Sequence, residues 1–191
     1  MIIVKDDFFK DPYSVRNAVL NKKNFAAPEN GRYPGLRCDE VPDNINDYIL
    51  SEARYYTKDP YLKLNKSSIQ WIPKEYHKGT VHYDLEKYTS VYFLSLDTPP
   101  HSGTAVYDGR KDLDPSLFEA KRSFYTDTSN LIKKFRYNRL CDKALSGLTP
   151  ITIPNKFNRF LLFDSGSYHR AENFFGTSIK DSRLTVVSFF E

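Results

Sequence analysis

The spacing of apolar positions changes near residue 60. Before that point they recur at helical intervals. Val15, Val19 and Leu20 follow Asp11-Pro12, a side-chain cap with proline at the first helical position, so a helix is predicted to about Lys22. Ile45, Tyr48, Ile49 and Ala53 predict a second helix over about 44–57, and residues 2–4 a short first strand. Residues 24–41 read as loop, punctuated by Pro28, Gly31, Pro34 and Gly35 and closed by Pro42.

Beyond Pro60, short runs rich in Ile, Val, Tyr and Phe alternate with turn residues. Strands are predicted over 68–72, 80–84, 89–96 and 104–107, and again over 151–153, 159–163, 168–173 and 183–190. Between the two groups a helical insertion is predicted over about 115–136, with Leu117, Phe118, Phe124, Leu131 and Phe135 as its apolar positions. Two helices followed by many short strands predict a mainly β chain with flanking helices, as a barrel or jelly roll. The expected organisation is one domain over 1–191: a helical elaboration over 1–60 and a β core over 61–191 that carries the insertion. No internal repeat or low-complexity segment is present.

Composition narrows the function classes. The 14 Tyr and 14 Phe favour half-buried strands. The net charge of +4 is scattered; its densest cluster, Lys133, Lys134, Arg136 and Arg139, falls in the predicted insertion and reads as a solvated face, which disfavours a nucleic-acid partner. Cys38 and Cys141 are isolated and fit neither a zinc spacing nor a disulfide framework. The apolar start, residues 1–4, is too short for a signal peptide, and no apolar run reaches membrane-spanning length. A soluble, cytoplasmic protein is expected.

The chemistry-bearing string is Val81-His82-Tyr83-Asp84. In a strand, residues two apart project from one face, so His82 and Asp84 can reach one metal ion while Tyr83 turns away. A non-haem iron(II) site wants two imidazoles and one carboxylate, with positions left open. His169 follows an apolar strand and the polar turn Asp164-Ser165-Gly166-Ser167, which can return it toward the barrel mouth. Arg183 opens the apolar run Leu184-Thr185-Val186-Val187 and shares a face with Thr185, a pairing suited to a carboxylate. Taken singly, each residue also fits a plainer role: a surface His beside a turn carboxylate, a hydrogen-bonded His, an Arg paired with Asp181 or with solvent.

In this order, the His-x-Asp pair, the distant His and the Arg that opens the last strand resemble the iron(II)/2-oxoglutarate-dependent dioxygenase superfamily over about residues 68–190. The strand Val91-Tyr92-Phe93-Leu94 and the string Gly103-Thr104-Ala105-Val106-Tyr107 are similar to strands of its prolyl-hydroxylase-like members. The opening Asp7-Phe8-Phe9-Lys10-Asp11-Pro12 and the loop Tyr33-Pro34-Gly35 resemble a bacterial and phage branch. The resemblance implies a double-stranded β-helix, the cupin-like jelly roll. It implies iron(II) on His82, Asp84 and His169, and 2-oxoglutarate anchored by Arg183 with Thr185. Dioxygen would be the oxidant and succinate and carbon dioxide the co-products. A peptide side chain or a small molecule would be hydroxylated, since a carboxylate at Asp84 argues against halogenation.

Departures from the prolyl-hydroxylase pattern are visible. Phe93 stands where a tyrosine helps to hold the distal carboxylate, and Ile72 near where another contacts the metal-proximal one. Arg183 lies far from His169, so residues 174–181 must loop out. The competing readings are a cupin-like metal enzyme without 2-oxoglutarate and a non-catalytic binding barrel. His77 and His101 are expected at an exposed strand edge and turn, Trp71 and Tyr92 in packing, and Arg37 in the pocket.

Overall fold

The computed structural model describes residues 1–108 and 114–191. In chain order it contains β1 (Ile2–Lys5), α1 (Pro12–Leu20), β2 (Leu36–Cys38), α2 (Asp43–Thr57), β3 (Leu64–Ile72), β4 (Tyr88–Phe93) and β5 (Gly103–Asp108). Helices α3 (Pro115–Tyr125) and α4 (Leu131–Leu145) follow, then β6 (Thr149–Pro154), β7 (Arg159–Asp164), β8 (Tyr168–Glu172) and β9 (Arg183–Phe190). α1 starts where its cap demands: the Asp11 carboxylate accepts from the Ser14 N–H at 3.1 Å and the Ser14 hydroxyl at 2.6 Å.

The strands form two antiparallel sheets, one ordered β1-β7-β4-β9-β3-β2 and the other β6-β5-β8. Alternation along each central strand divides its side chains between two layers. Tyr92 and Leu94, Phe160 and Leu162, and Leu184, Val186 and Phe190 face α1 and α2, whose Val15, Val19, Ile45, Ile49 and Ala53 cover them. Val91 and Phe93, Leu161 and Phe163, and Val187 face inward and meet Val106 and Ile153 of the smaller sheet. On that sheet's far side, Ala105, Tyr107 and Tyr168 pack against Leu117, Ala120 and Phe124 of α3 and Tyr137 and Cys141 of α4. Two sheets packed face to face, with helices on the outer sides, form the double-stranded β-helix expected from the chain.

Four expectations need correction. Residues 36–38, read as loop among Pro34 and Gly35, form the edge strand β2, with Arg37 opposite Gln70. The predicted insertion is two helices, not one. Thr126-Asp127-Thr128-Ser129-Asn130 interrupts it, because short polar side chains compete for the backbone: Thr126 Oγ1 donates to the Arg122 carbonyl at 3.0 Å, and Asn130 Oδ1 accepts from the Lys133 N–H at 3.1 Å to start α4. Leu131 and Phe135 are accordingly exposed on α4 instead of lying in the core. Finally, residues 80–84 make no regular strand. Their pairing is an isolated bridge, His82 to His169. Among the described residues, no helix is long and apolar enough to cross a membrane.

Candidate metal centre

The metal-ligating atoms of His82, Asp84 and His169 all lie within 4.8 Å of one another. β8 supplies His169, whose ring faces inward because its neighbour Tyr168 packs outward against the helices. His82 is locked opposite by two backbone hydrogen bonds: its N–H donates to the His169 carbonyl at 3.0 Å and its carbonyl accepts from the His169 N–H at 2.8 Å. A further bond, Asp84 N–H to Ser165 O at 2.9 Å, brings the carboxylate over the turn between β7 and β8. The isolated bridge thus achieves the convergence expected of a strand. Asp84 Oδ2 stands 3.3 Å from His169 Nε2, and Asp84 Oδ1 3.7 Å from His82 Nε2.

Both imidazoles are oriented in the same way. His82 Nδ1 lies 2.8 Å from the Thr80 carbonyl, and His169 Nδ1 lies 2.9 Å from the Ser167 carbonyl. A carbonyl can only accept, so each Nδ1 carries the hydrogen and each Nε2 is directed toward the shared centre. Thr89 of β4 fixes the third group: its hydroxyl donates to Asp84 Oδ2 at 3.1 Å and lies 2.7 Å from the Ser165 hydroxyl. Supports of this kind determine ligand direction as much as the ligands do.

The electrostatics suit a cation. The protein packed around the His82 ring and, after it, the His169 imidazole push the His82 pKa down to about 4, so the ring is neutral near pH 7. Burial opposes ionisation of Asp84, but the neighbouring His169 and His82 rings and the Thr89 hydroxyl outweigh it and hold the carboxyl below its usual range. Two nitrogen donors and one carboxylate form the donor set of a non-haem iron(II) site, and the residues fit that metal.

These three residues sit in one wall of a cavity of about 510 Å³, which Arg183 also lines. Arg183 is 3% exposed. Nη1 donates to the Gly103 carbonyl at 2.9 Å and Nη2 to Thr104 Oγ1 at 3.2 Å, while Nε has no partner among the described residues. Among the described residues no carboxylate pairs with it: Asp181 instead accepts from the Thr177 and Ser178 N–H groups at 3.0 and 2.7 Å. Burial lowers the guanidinium pKa to about 10, with nearby Glu172 opposing the shift. Phe93 lies under the guanidinium, 5.2 Å from ring centroid to Cζ, a cation–π contact where a tyrosine would have offered a hydroxyl. Thr185 stands on the same inward face, fully buried with an unpartnered hydroxyl, but does not line the cavity.

The remaining candidates separate. Arg37 lines the cavity, and so does Ile72. Neither His77 nor His101 does. His101 is exposed in a turn, whereas His77 is half-buried at the end of a short helical turn, because its carbonyl is tied to the Phe174 N–H. Tyr92 is a packing residue whose hydroxyl donates to Asn158 Oδ1 at 2.9 Å, and Trp71 packs edge-on against Phe25. Thr89, Thr104, Arg32 and Lys121 were not foreseen: a strand threonine or a helix lysine carries no local signal of a cavity.

No family model matches the chain, and no curated protein matches it in sequence. Solved structures do match in fold. HygX from Streptomyces hygroscopicus, with nickel and 2-oxoglutarate bound, superposes with a TM-score of 0.62 at 14% identity over 99% of this chain and 82% of its own. SnoK, a non-heme alpha ketoglutarate dependent carbocyclase from nogalamycin biosynthesis, gives a TM-score of 0.61 at 13% identity, covering 99% and 78%. A prolyl hydroxylase from Trichoplax adhaerens, in complex with a hypoxia inducible factor peptide fragment, gives 0.59 at 13% identity, covering 99% and 82%.

Proposed function

We propose that this chain is an iron(II)- and 2-oxoglutarate-dependent oxygenase that hydroxylates a peptide side chain or a small molecule. The observation that carries this reading is the buried, carboxylate-free Arg183 in the same cavity as the His82, Asp84 and His169 cluster. A guanidinium buried without an anion is costly, and the distal carboxylate of 2-oxoglutarate is the partner it lacks. The shared fold with HygX, which holds nickel and 2-oxoglutarate, agrees.

His82, Asp84 and His169 would hold iron(II), and Arg183 the co-substrate, with the Thr104 hydroxyl fixing the guanidinium's direction and Phe93 its plane. Bound there, iron(II) supplies dioxygen activation coupled to decarboxylation of 2-oxoglutarate to succinate and carbon dioxide. The protein's own part is placement: imidazoles presented by carbonyl-held Nδ1 groups, a carboxylate steadied by Thr89, and an apolar inner wall of Val91, Phe163 and Val187.

The test is anaerobic binding of 2-oxoglutarate to the Mn(II)-loaded protein, followed by succinate release in air with iron(II). Arg183→Gln is expected to weaken 2-oxoglutarate binding by about a hundredfold while metal binding persists, the effect of removing a bidentate charge-assisted pair. His82→Ala is expected to abolish iron-dependent succinate release. Metal binding without any 2-oxoglutarate binding would instead favour a cupin-like barrel that works without the co-substrate.

A further inference from the structure

The cavity holds more positive charge than metal and co-substrate can use. Besides Arg183, its lining includes Arg32, Arg37 and Lys121. Lys66 also lines it but pairs with Asp39 at 3.2 Å. Among the described residues, Asp84 and Glu86 are its acidic ones. On the oxygenase reading, a divalent cation on Asp84 leaves one net positive charge, and the co-substrate dianion on Arg183 leaves one net negative charge. Those cancel. Arg32, Arg37 and Lys121 then face a single Glu86, and among the described residues none of the three is in ion-pair contact with a carboxylate.

These cations converge by construction. The short turn Glu29–Gly31 presses on α3 so closely that a Cβ on Gly31, at φ +62°, would lie 2.6 Å from the Arg122 carbonyl. That contact sets Arg32 beside Lys121. Arg37 is held rigidly: its backbone exchanges hydrogen bonds with Ala26 at 2.9 and 3.0 Å, and its guanidinium stacks on Tyr33 at 3.9 Å. Its Nε is buried without a hydrogen-bond partner among the described residues. Burial lowers the pKa of both Arg37 and Lys121; Arg32 adds to the lowering at each and Arg37 to that at Lys121, while Tyr33, Asp39 and Asp84 oppose the shift at Arg37. Asp84 feels the charge of Arg37, and His82 that of Lys121, so the cluster lies within electrostatic reach of the metal ligands. Gathering like charges in a partly desolvated wall is unfavourable unless an anion joins them.

We propose that the prime substrate carries an anionic group, a carboxylate or a phosphate, bound by Arg37 and Lys121 with Arg32 adding to the field. This rests on the oxygenase reading and specifies the substrate of that same site. Arg37 supplies the planar, pre-oriented fork and Lys121 an ammonium carried on α3, so the substrate's anionic end is gripped while its remaining atoms extend toward His82 and His169.

Isothermal titration under anaerobic conditions tests this on protein loaded with Mn(II) and 2-oxoglutarate. The probes are the N-acetyl amides of L-aspartate and O-phospho-L-serine, with the N-acetyl amides of L-asparagine and L-serine as neutral counterparts. The expected result is that at least one anionic probe binds about tenfold or more tighter than its neutral counterpart, with affinity that falls as salt rises. Preference for the aspartate or for the phosphorylated probe distinguishes the two anions. Arg37→Gln and Lys121→Gln should each remove most of that preference while leaving the 2-oxoglutarate Kd within about twofold; Arg37→Lys guards against a folding defect by keeping the charge. Equal binding of anionic and neutral probes overturns the proposal. So does a rise in the 2-oxoglutarate Kd on Arg37→Gln as large as that on Arg183→Gln, which would make Arg37 a second co-substrate anchor. Failure of 2-oxoglutarate to bind at all would count against the oxygenase reading itself.

Discussion

The Thr80 carbonyl lies 2.8 Å from His82 Nδ1, while the Thr80 side chain is gripped from behind by the helical insertion: its hydroxyl is 2.8 Å from the Tyr137 hydroxyl and 3.4 Å from that of Tyr125. The two tyrosine hydroxyls are 3.0 Å apart and both donate to the Lys78 carbonyl, at 3.3 and 3.1 Å. The segment that carries the first metal ligand is therefore pinned to α3 and α4. The insertion is part of the ligand's support, not a decoration of the barrel.

Tyr137→Phe should expose that support. It removes one buried hydroxyl and leaves Thr80 with a weaker partner, so stability should fall by about 1–2 kcal/mol in urea unfolding. Metal affinity should fall about tenfold in a Mn(II) titration, the lower end of what lost outer supports cost. A drop in stability with unchanged metal affinity would show that the tyrosines serve only the core.

Thr89→Val tests the support of the second ligand. The replacement keeps the shape of a side chain that is 2% exposed but deletes the donor to Asp84. Asp84 would then be less strictly aimed, and metal binding should weaken by about tenfold with the fold retained, as judged by circular dichroism. Undiminished affinity would mean that the backbone bond to Ser165 aims Asp84 unaided.

Much of this centre was legible in the sequence, for a physical reason. Period-two alternation placed Arg183 on the inward face of β9, and the polar turn before His169 implied the return of β8 toward the cavity. The helical pattern gave α1 and α2 almost to their ends. What escaped depends on contacts distant in sequence. β2 exists because Arg37 and Gln70 pair across the sheet edge, a partnership that three residues amid Pro and Gly do not announce. The break at 126–130 carried capping residues, but continuous apolar spacing masked it. Lys121 and Arg32 acquire meaning only when a turn docks on α3.

A pH-dependent contribution to stability lies away from the centre. Asp6 receives Arg159 Nε at 2.6 Å and Nη2 at 3.0 Å, and Lys156 Nζ at 2.8 Å, clamping the segment after β1 to β7. Arg159 first and Lys156 second hold its pKa at about 2, below the ordinary 3.8. Because the folded value is depressed, the stabilisation is present above about pH 4 and is lost as pH falls toward 2. With 35% of the Asp6 side chain exposed, solvent screening limits it to under about 1 kcal/mol. Asp6→Asn should therefore be slightly less stable than the parent in urea at pH 7, and the gap should close near pH 2. A gap of equal size at both pH values would mean that the carboxylate's charge is not what matters.

Gly35 makes the sharpest structural demand on the cavity wall. It adopts φ +70°, and a Cβ there would lie 2.2 Å from the Trp71 carbonyl and 2.9 Å from Ile72 Cα, both backbone atoms of β3 that cannot yield cheaply. The chain must pass this close to β3 for Tyr33 and Arg37 to stack and for Arg37 to pair opposite Gln70. Gly35→Ala therefore combines left-handed strain with a backbone collision, and a loss of about 2 kcal/mol or more is expected in urea unfolding. The loop can relieve the clash only by lifting away from β3. Hydrogen exchange should then accelerate at the Arg37 and Ala26 amides, while the amides of His82 and His169 keep their protection. Exchange that rises equally at both places would show that the loop and the metal centre open as one unit.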